Sequence, residues 1–322
     1  MINQRETLVR DLWMLTIRGI AFLCICVLSY MILLFLLTNI KITGNPIVYR
    51  ASQGLVQKGG FTYERFKEFD PNTKYDILAF GSSRVNRGIN PHVFEQAGYS
   101  IYNLGTDDQT PVNTEVLIKQ YAKPGHCKLV IIDLFDKVFS HSPLESSADL
   151  IQNVSDDKTA FKVACAFDDI RAINLLGIRM MLKNSPPVYS GNTKLYKGYR
   201  VKLNDKNEYN GDFYTYKSNT RNLREFEETL KYLRANHIPY LLVSQPLPEY
   251  LKKSNHQQML KDLKPILSEY HDSLNDFTFG STITSPLDFA DESHLNSKGA
   301  DKYSHYLLDE LVNKVIAPGA KN

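Results

Sequence analysis

Two short motifs stand at opposite ends of the polar part of this chain. Near its start is Ile77-Leu78-Ala79-Phe80-Gly81-Ser82-Ser83-Arg84, and near its end is Asp291-Glu292-Ser293-His294-Leu295-Asn296. The first is an apolar run that stops at a Gly-Ser-Ser turn, a layout that exposes a hydroxyl at the end of a strand. The second puts a carboxylate three residues before an imidazole. Together they supply a serine, an aspartate and a histidine, in that order. A serine hydroxyl is a weak nucleophile until a base takes its proton, and a carboxylate behind the base fixes its tautomer. The chemistry these residue types allow is attack on an ester or other acyl group.

Ser83 is the expected nucleophile. Gly81 before it permits close backbone approach, and the Ser83 N–H is placed to face a developing oxyanion. Ser82 offers a second hydroxyl, and an ordinary strand-to-helix turn with a serine cap would carry the same letters. His294 is the expected base among eight histidines, with Asp291 to orient it. An exposed helix-cap cluster is the alternative there, with Asn296 or Ser297 simply capping the last helix. Arg84 and Arg87 read equally as binders of an anionic substrate and as solvated residues of a helix start. Gln245, in Ser244-Gln245-Pro246-Leu247-Pro248, is a candidate for lining the same site or for a proline-stiffened exit loop.

The elements that must hold these residues are legible as an alternation. Tyr75 to Phe80, Ser100 to Leu104, Leu129 to Leu134 and Pro239 to Val243 read as buried strands, with a short edge strand at Phe277 to Phe279. Helices are expected from Pro91, with Asn90 as cap, and over Thr114 to Tyr121, Asn222 to Asn236, Met259 to Tyr270 and Ser297 to Val315. Strands alternating with helices predict an α/β fold with a parallel sheet covered on both faces. In such sheets, sites form beyond the carboxyl ends of the strands. Ser83, Gly105 and the loop after Leu134 all fall there. Between residues 140 and 220 the alternation breaks. A helical stretch from about Leu144 to Leu182 precedes a polar piece rich in Tyr and Gly, read as an insertion that shapes a binding site or acts as a lid, with a mere surface excursion as the alternative.

Outside that domain the chain changes character. Gly19 to Ile40 carries no charge, and a membrane-spanning helix needs about 20 such residues. Arg5, Arg10 and Arg18 before it predict a cytoplasmic N-terminus and an extracytoplasmic remainder. The stretch is longer than the apolar region of a cleaved signal peptide. The expected organisation is a cytoplasmic N-terminus (1–18), a transmembrane anchor (19–40), a juxtamembrane linker (41–74) and an α/β domain (75–318) that contains the insertion. Net charge is +3 over 322 residues and basic residues are scattered, so nothing points to nucleic acid. No cysteine–histidine cluster has metal-ligand spacing, and no metal or other cofactor is expected. Cys127 and Cys165 stand where a disulfide is permitted, but spacing alone does not pair them.

Taken jointly, the motifs resemble those of the SGNH (GDSL-like) hydrolase superfamily. Gly81-Ser82-Ser83 matches its first block and Asp291-Glu292-Ser293-His294 its last. Tyr102-Asn103-Leu104-Gly105 looks like the second, whose glycine N–H helps form the oxyanion hole. The likeness runs from about Tyr75 to Val315, the insertion excepted. It implies a three-layer α/β/α, flavodoxin-like fold with Ser83, His294 and Asp291 as triad and the Ser83 and Gly105 N–H groups as oxyanion donors. The nearer likeness is to membrane-anchored members such as the D-alanyl-transfer proteins of teichoic-acid systems and proteins linked to polysaccharide acylation. That implies an extracytoplasmic acyltransferase or esterase on a cell-envelope glycan or glycopolymer, with an acyl-exporting membrane partner. A membrane-tethered assembly or glycan-binding component with a relict triad, and a plain carbohydrate O-deacetylase, are the alternatives. One block departs. The superfamily's third block carries an oxyanion-binding asparagine, whereas Ile131-Ile132-Asp133-Leu134-Phe135-Asp136 has none. Loss of one such donor typically costs about 10²–10³ in rate.

Overall fold

The structure is a computed structural model that describes residues 2–189, 194–201, 214–248, 253–279, 283 and 285–316. Residues 190–193 and 202–213 of the expected insertion, and positions 317–318 of the expected domain, lie outside the described residues.

Five short strands form the central sheet: β1 (Tyr75–Phe80), β2 (Ile101–Asn103), β3 (Cys127–Asp133), β4 (Tyr240–Ser244) and β5 (Leu274–Asp276). Their order is β2-β1-β3-β4-β5 and every pairing is parallel. Successive side chains of a strand point to opposite faces, and here both faces are apolar. Leu78, Phe80, Val130 and Ile132 enter one core; Ile77, Ala79, Leu129 and Ile131 enter the other. Helices cover each. Pro111–Tyr121 and Thr220–Ala235 bury Leu117, Ile118, Phe226 and Leu230 on the first face, while Ser83–Gly88, Pro91–Gln96 and Ser297–Leu307 bury Val85, Phe94, Tyr303 and Leu307 on the second. The chain is thus an α/β protein with a parallel sheet between helical layers, as the alternation of elements leads one to expect. β1 sits inside the sheet, with its successor β2 on one side and β3 on the other. The chain therefore reverses its winding direction there, and a crevice opens beyond the strand ends.

Several elements begin or stop away from their sequence limits. The expected edge strand at Phe277 to Phe279 is β5, three residues earlier. The helical stretch from Leu144 is three helices, Leu144–Asn153, Asp157–Phe167 and Arg171–Leu182. It breaks where Asp156 caps one start and where Asp168 takes a left-handed φ of 50°. These helices are no loose excursion: Leu150, Ile151, Val163, Leu175 and Ile178 join the first core. The insertion continues as a hairpin, Leu195–Tyr196 with Tyr199–Arg200, whose Lys197 carbonyl accepts from Asn103 N–H at 3.0 Å. The hairpin thereby covers the β2 edge.

The first helix runs from Ile2 to Asn39, 38 residues. Among its described residues it is exposed almost throughout, and its apolar stretch is long enough to cross a membrane. Residues 41–74 are not a free tether. Val48, Tyr49, Val56, Phe66 and Phe69 from this segment are buried in the first core, together with Leu34 of the long helix. All four cysteines are free thiols; Cys127 is buried and Cys165 exposed.

Candidate active site

Beyond β1 the chain turns sharply. Gly81 has φ +147°, a conformation that residues with a side chain rarely adopt, and a Cβ there would come within 2.7 Å of Val85 Cγ2. Ser82 and Ser83 then separate. Ser82 is the helix cap, buried, its Oγ accepting from Arg84 N–H at 3.3 Å. Ser83 is the first residue of the Ser83–Gly88 helix and is only part-buried. The hydroxyl lies 2.6 Å from His294 Nε2.

The histidine arrives on a tight loop between Phe289 and Leu295, which pair as an antiparallel bridge. Ala290 N–H donates to the His294 carbonyl at 2.9 Å, and the side chain of Asn296 caps the following helix through Gly299 N–H at 2.9 Å. The capping role foreseen for Asn296 and the convergence of Asp291 with His294 therefore coexist. Asp291 Oδ1 accepts from His294 Nδ1 at 2.6 Å, from His294 N–H at 3.0 Å and from Ser293 N–H at 3.1 Å. Its other oxygen lies 3.5 Å from Arg87 Nη1. Burial works to raise the Asp291 carboxyl, but the hydrogen bond and charge of His294, the Ser293 N–H and Arg87 outweigh it and hold the group well below the carboxylate range. His294 is lowered from its ordinary value. Burial is the chief cause and the Arg87 cation adds to it, against the pull of Asp291. The imidazole is therefore neutral at neutral pH. With Nδ1–H directed at the carboxylate, its Nε2 lone pair faces the serine hydroxyl.

The other expected site residues lie differently. Arg84 is 1% exposed. It points under the turn, 3.5 Å from Asp133 Oδ2, with its guanidinium 4.4 Å from the centroid of the Phe135 ring and hydrogen-bonded to the Gln245 carbonyl. It does not face the crevice, so its assignment to substrate is replaced by a buried ion pair. Gln245 is 2% exposed and likewise does not line the site. Its N–H donates to Asp133 Oδ1 at 3.0 Å, and its side chain packs against Gly88, where a Cβ would meet Oε1 at 1.9 Å. The physical reason is shared. Asp133 ends β3 fully buried, and a lone carboxylate there needs a cation and a donor. Arg84 and Gln245 N–H fill that need. The same pairing turns the Asp133 carboxylate toward Arg84 and Gln245.

Gly105 stands beyond β2, beside the Gly81–Ser83 turn; a Cβ would meet Val85 Cβ at 2.7 Å and the Ser82 carbonyl at 2.9 Å. Its N–H, however, donates to Asn103 Oδ1 at 3.1 Å. Asn103 also holds the Ser83–Gly88 helix through Val85 O and Ile89 O, at 2.7 and 3.0 Å. The Ser83 N–H opens its helix, where the first N–H groups have no intrahelical partner.

Two residues at the rim, Arg200 and Asp107, escape a sequence reading. Arg200 comes from the insertion hairpin. It stacks on Phe61, 3.7 Å from the ring centroid, and lies 3.7 Å from Asp107 Oδ2, whose other oxygen accepts from Asn86 Nδ2 at 3.1 Å. Burial and the neighbouring Arg87 cation lower Arg200 to about 10, against the pull of Asp107. No motif marks either residue; Asp107 lies on the loop after β2, and the hairpin's return across β2 brings Arg200 to it. Among the described residues no group of acidic, histidine or cysteine side chains has a metal-binding arrangement.

No protein-family model matches the sequence, and a search of curated proteins gives no match either. Among solved structures the chain is similar to a provisionally named acylhydrolase from Bacteroides fragilis. The identity is 14%, over 86% of this chain and all of that one, with a TM-score of 0.40. It is also similar to a provisionally named platelet activating factor protein from Streptococcus pneumonia, at 11% identity over 77% of this chain and 88% of that one, with a TM-score of 0.42. Both superpositions are too loose, and the identities too low, to speak to activity.

Proposed function

We propose that this chain is a serine esterase or O-acyltransferase that works outside the cytoplasmic membrane on acyl groups of a cell-envelope polysaccharide or glycopolymer. The observation that carries the reading is the unbroken chain from Ser83 Oγ to His294 Nε2 at 2.6 Å and from His294 Nδ1 to Asp291 Oδ1 at 2.6 Å. Ser83 attacks the acyl carbonyl while His294 takes the hydroxyl proton at Nε2. Asp291 holds the imidazolium that forms. The tetrahedral intermediate collapses to an acyl-serine, and the proton passes to the departing oxygen or sulfur. An acceptor hydroxyl, from water or a sugar, then gives its proton to His294 and takes the acyl group, which restores Ser83. The Ser83 N–H is the oxyanion donor on which this reading relies.

The glycan assignment and an acyl-exporting membrane partner rest on the resemblance of the motif blocks and on the apolar first helix. One observation favours a second reading, a non-catalytic tethered component. The Gly105 N–H is engaged by Asn103 and the third block has no asparagine, so the oxyanion site is short of donors. A plain O-deacetylase differs from the first reading only in using water as acceptor.

Fluorophosphonate labelling of full-length protein in membranes tests the proposal. Labelling is expected for the wild type and lost in Ser83→Ala and in His294→Ala. An unlabelled, folded wild type would leave the tethered-component reading standing. With labelling in hand, release of the acyl group to an added sugar alcohol rather than to water separates transfer from hydrolysis.

A further inference from the structure

The Arg171–Leu182 helix (RAINLLGIRMML) is apolar on both faces. One face, with Ala172, Leu175, Ile178 and Leu182, is buried in the first core. The other carries Ile170, Ile173 and Met180, exposed by 79%, 66% and 76%. A helix apolar all round belongs inside a protein or in a membrane. Its polar groups are already partnered within the protein. Arg171 makes a two-pronged contact with Asp169 at 2.7 and 2.8 Å. Arg179 donates to the carbonyls of Ile151 and Val154 and pairs with Asp157. Asn174 Oδ1 accepts from Tyr30 of the first helix at 2.5 Å. Internal satisfaction of this kind is what a lipid-facing segment requires.

The helix also packs against the apolar first helix. Tyr30 meets Asn174, and Leu34 Cδ2 lies 3.1 Å from where a Gly177 Cβ would stand. Contacts that advance together on both helices mean that the two run side by side in the same direction. Between them opens an apolar cleft of about 380 Å³, lined among others by Leu33, Leu37, Val48 and Leu55. Tyr30 stands roughly 15 Å along the axis before Ile40, inside the apolar stretch rather than beyond it. Trp13, exposed on the same helix, lies roughly 26 Å before Tyr30, close to the ~30 Å of a bilayer's hydrocarbon core. Tyr and Trp favour the two interfaces of such a core. Arg18 between them is near enough to the cytoplasmic side to snorkel.

We infer that the lipid bilayer is the partner of this surface: its outer face crosses the first helix near Tyr30, and the start of the Arg171–Leu182 helix, with Ile170 and Ile173, is immersed in the headgroup–acyl boundary. The hydrocarbon core then takes residues 13–30 in place of the expected 19–40, the exposed Ile32, Phe35 and Leu36 lie in the outer headgroup layer, and the domain is seated on the membrane instead of hanging from a tether. The Asp169–Arg171 pair sets the depth, because a charge pair is tolerated among headgroups and not at the centre. Because the helices run in parallel, Ile170 and Ile173 are the deepest and Met180 is shallower. The inference rests on the first helix spanning the membrane and is independent of the serine chemistry.

The test uses the full chain with Cys24, Cys26 and Cys165 replaced by serine. Cys127 stays, since burial pushes its thiol up to about 11 and leaves it inert. Single cysteines at Ile170, Ile173, Met180, Leu23 and Lys231 carry an environment-sensitive NBD dye, in phosphatidylcholine–phosphatidylglycerol vesicles with and without doxyl-labelled lipid. The expected result is blue-shifted emission, lost to shallow doxyl lipid, at Ile170 and Ile173. Met180 should lose less, and Lys231 should stay water-like. Emission at Ile170 and Ile173 that is water-like and quenched by iodide overturns the proposal. So does a blue shift that doxyl lipid leaves untouched, since that marks a protein partner in place of lipid. Leu23 reports on the span itself: if doxyl lipid spares Leu23, the first helix does not cross the bilayer and the proposal falls with it.

Discussion

Ser82 and Ser83 are chemically identical and adjacent, yet the turn gives them different work. One satisfies the start of a helix; the other meets an imidazole. The neighbouring cation Arg87 matters at the same scale. It lies 3.5 Å from Asp291 and disfavours the charged form of His294. The sign of its effect on a pH profile follows. A base must be neutral to accept the Ser83 proton, and a lowered folded-state value keeps it neutral to a lower pH. Fluorophosphonate labelling should therefore fall off only below the ordinary histidine value of about 6.5. Arg87→Gln removes a cation that opposes the imidazolium, so its acid limb should move to higher pH, with the labelling rate at pH 8 little changed. An acid limb that stays in place would detach Arg87 from the base.

The Ser83–Gly88 helix is only six residues long and cannot hold itself in place. It is held from below by a buried cluster. Arg84 pairs with Asp133, Gln245 packs on Gly88, and Asn103 ties down Val85 and Ile89. Burial pushes the Asp133 carboxyl upward and Arg84 pulls it back. Arg84→Met should therefore leave a buried carboxylate without its cation and cost roughly 3–5 kcal/mol, read as a lower urea midpoint. Adding Asp133→Asn removes the charge while keeping an acceptor for Gln245 N–H, and should restore most of that loss. A single variant as stable as wild type would mean that the pair contributes nothing to holding the turn.

At the scale of the whole molecule, the first helix is part of the domain's packing as well as a candidate anchor. Leu34 and Thr38 are 4% and 3% exposed, and Leu34 belongs to the same core as Val48 and Ile178. Cutting the chain before residue 42 would open the cleft beside the Arg171–Leu182 helix. Fully burying a leucine is worth about 1.5–3 kcal/mol. A 42–322 fragment should thus unfold at lower temperature than a chain cut before Ser29, which keeps the last turns of the helix. Equal melting temperatures for the two fragments would show the helix to be a mere tether.

Much of the architecture is written locally. Apolar runs of strand length, helical stripes and glycines at strand ends are set by neighbours a few residues apart, so the α/β order and the approach of Asp291 to His294 were legible in the sequence. The long apolar stretch was legible for the same reason. Direction and depth were not. Whether Arg84 points to solvent or to Asp133 depends on a carboxylate that lies 49 positions further along and becomes a neighbour only when β1 pairs with β3. Gln245 turns inward because the same carboxylate needs a second donor, and the Gly105 N–H meets Asn103 because of how the chain bends after β2. Arg200 reaches the crevice because a hairpin from the insertion returns across the sheet edge, and the Arg171–Leu182 helix finds the first helix from well over a hundred residues away. Sequence pattern determines which elements form and which residue types they carry. The burial of charge and the packing of distant segments, which only the tertiary structure decides, select the side chains that face the crevice and those that hold it up.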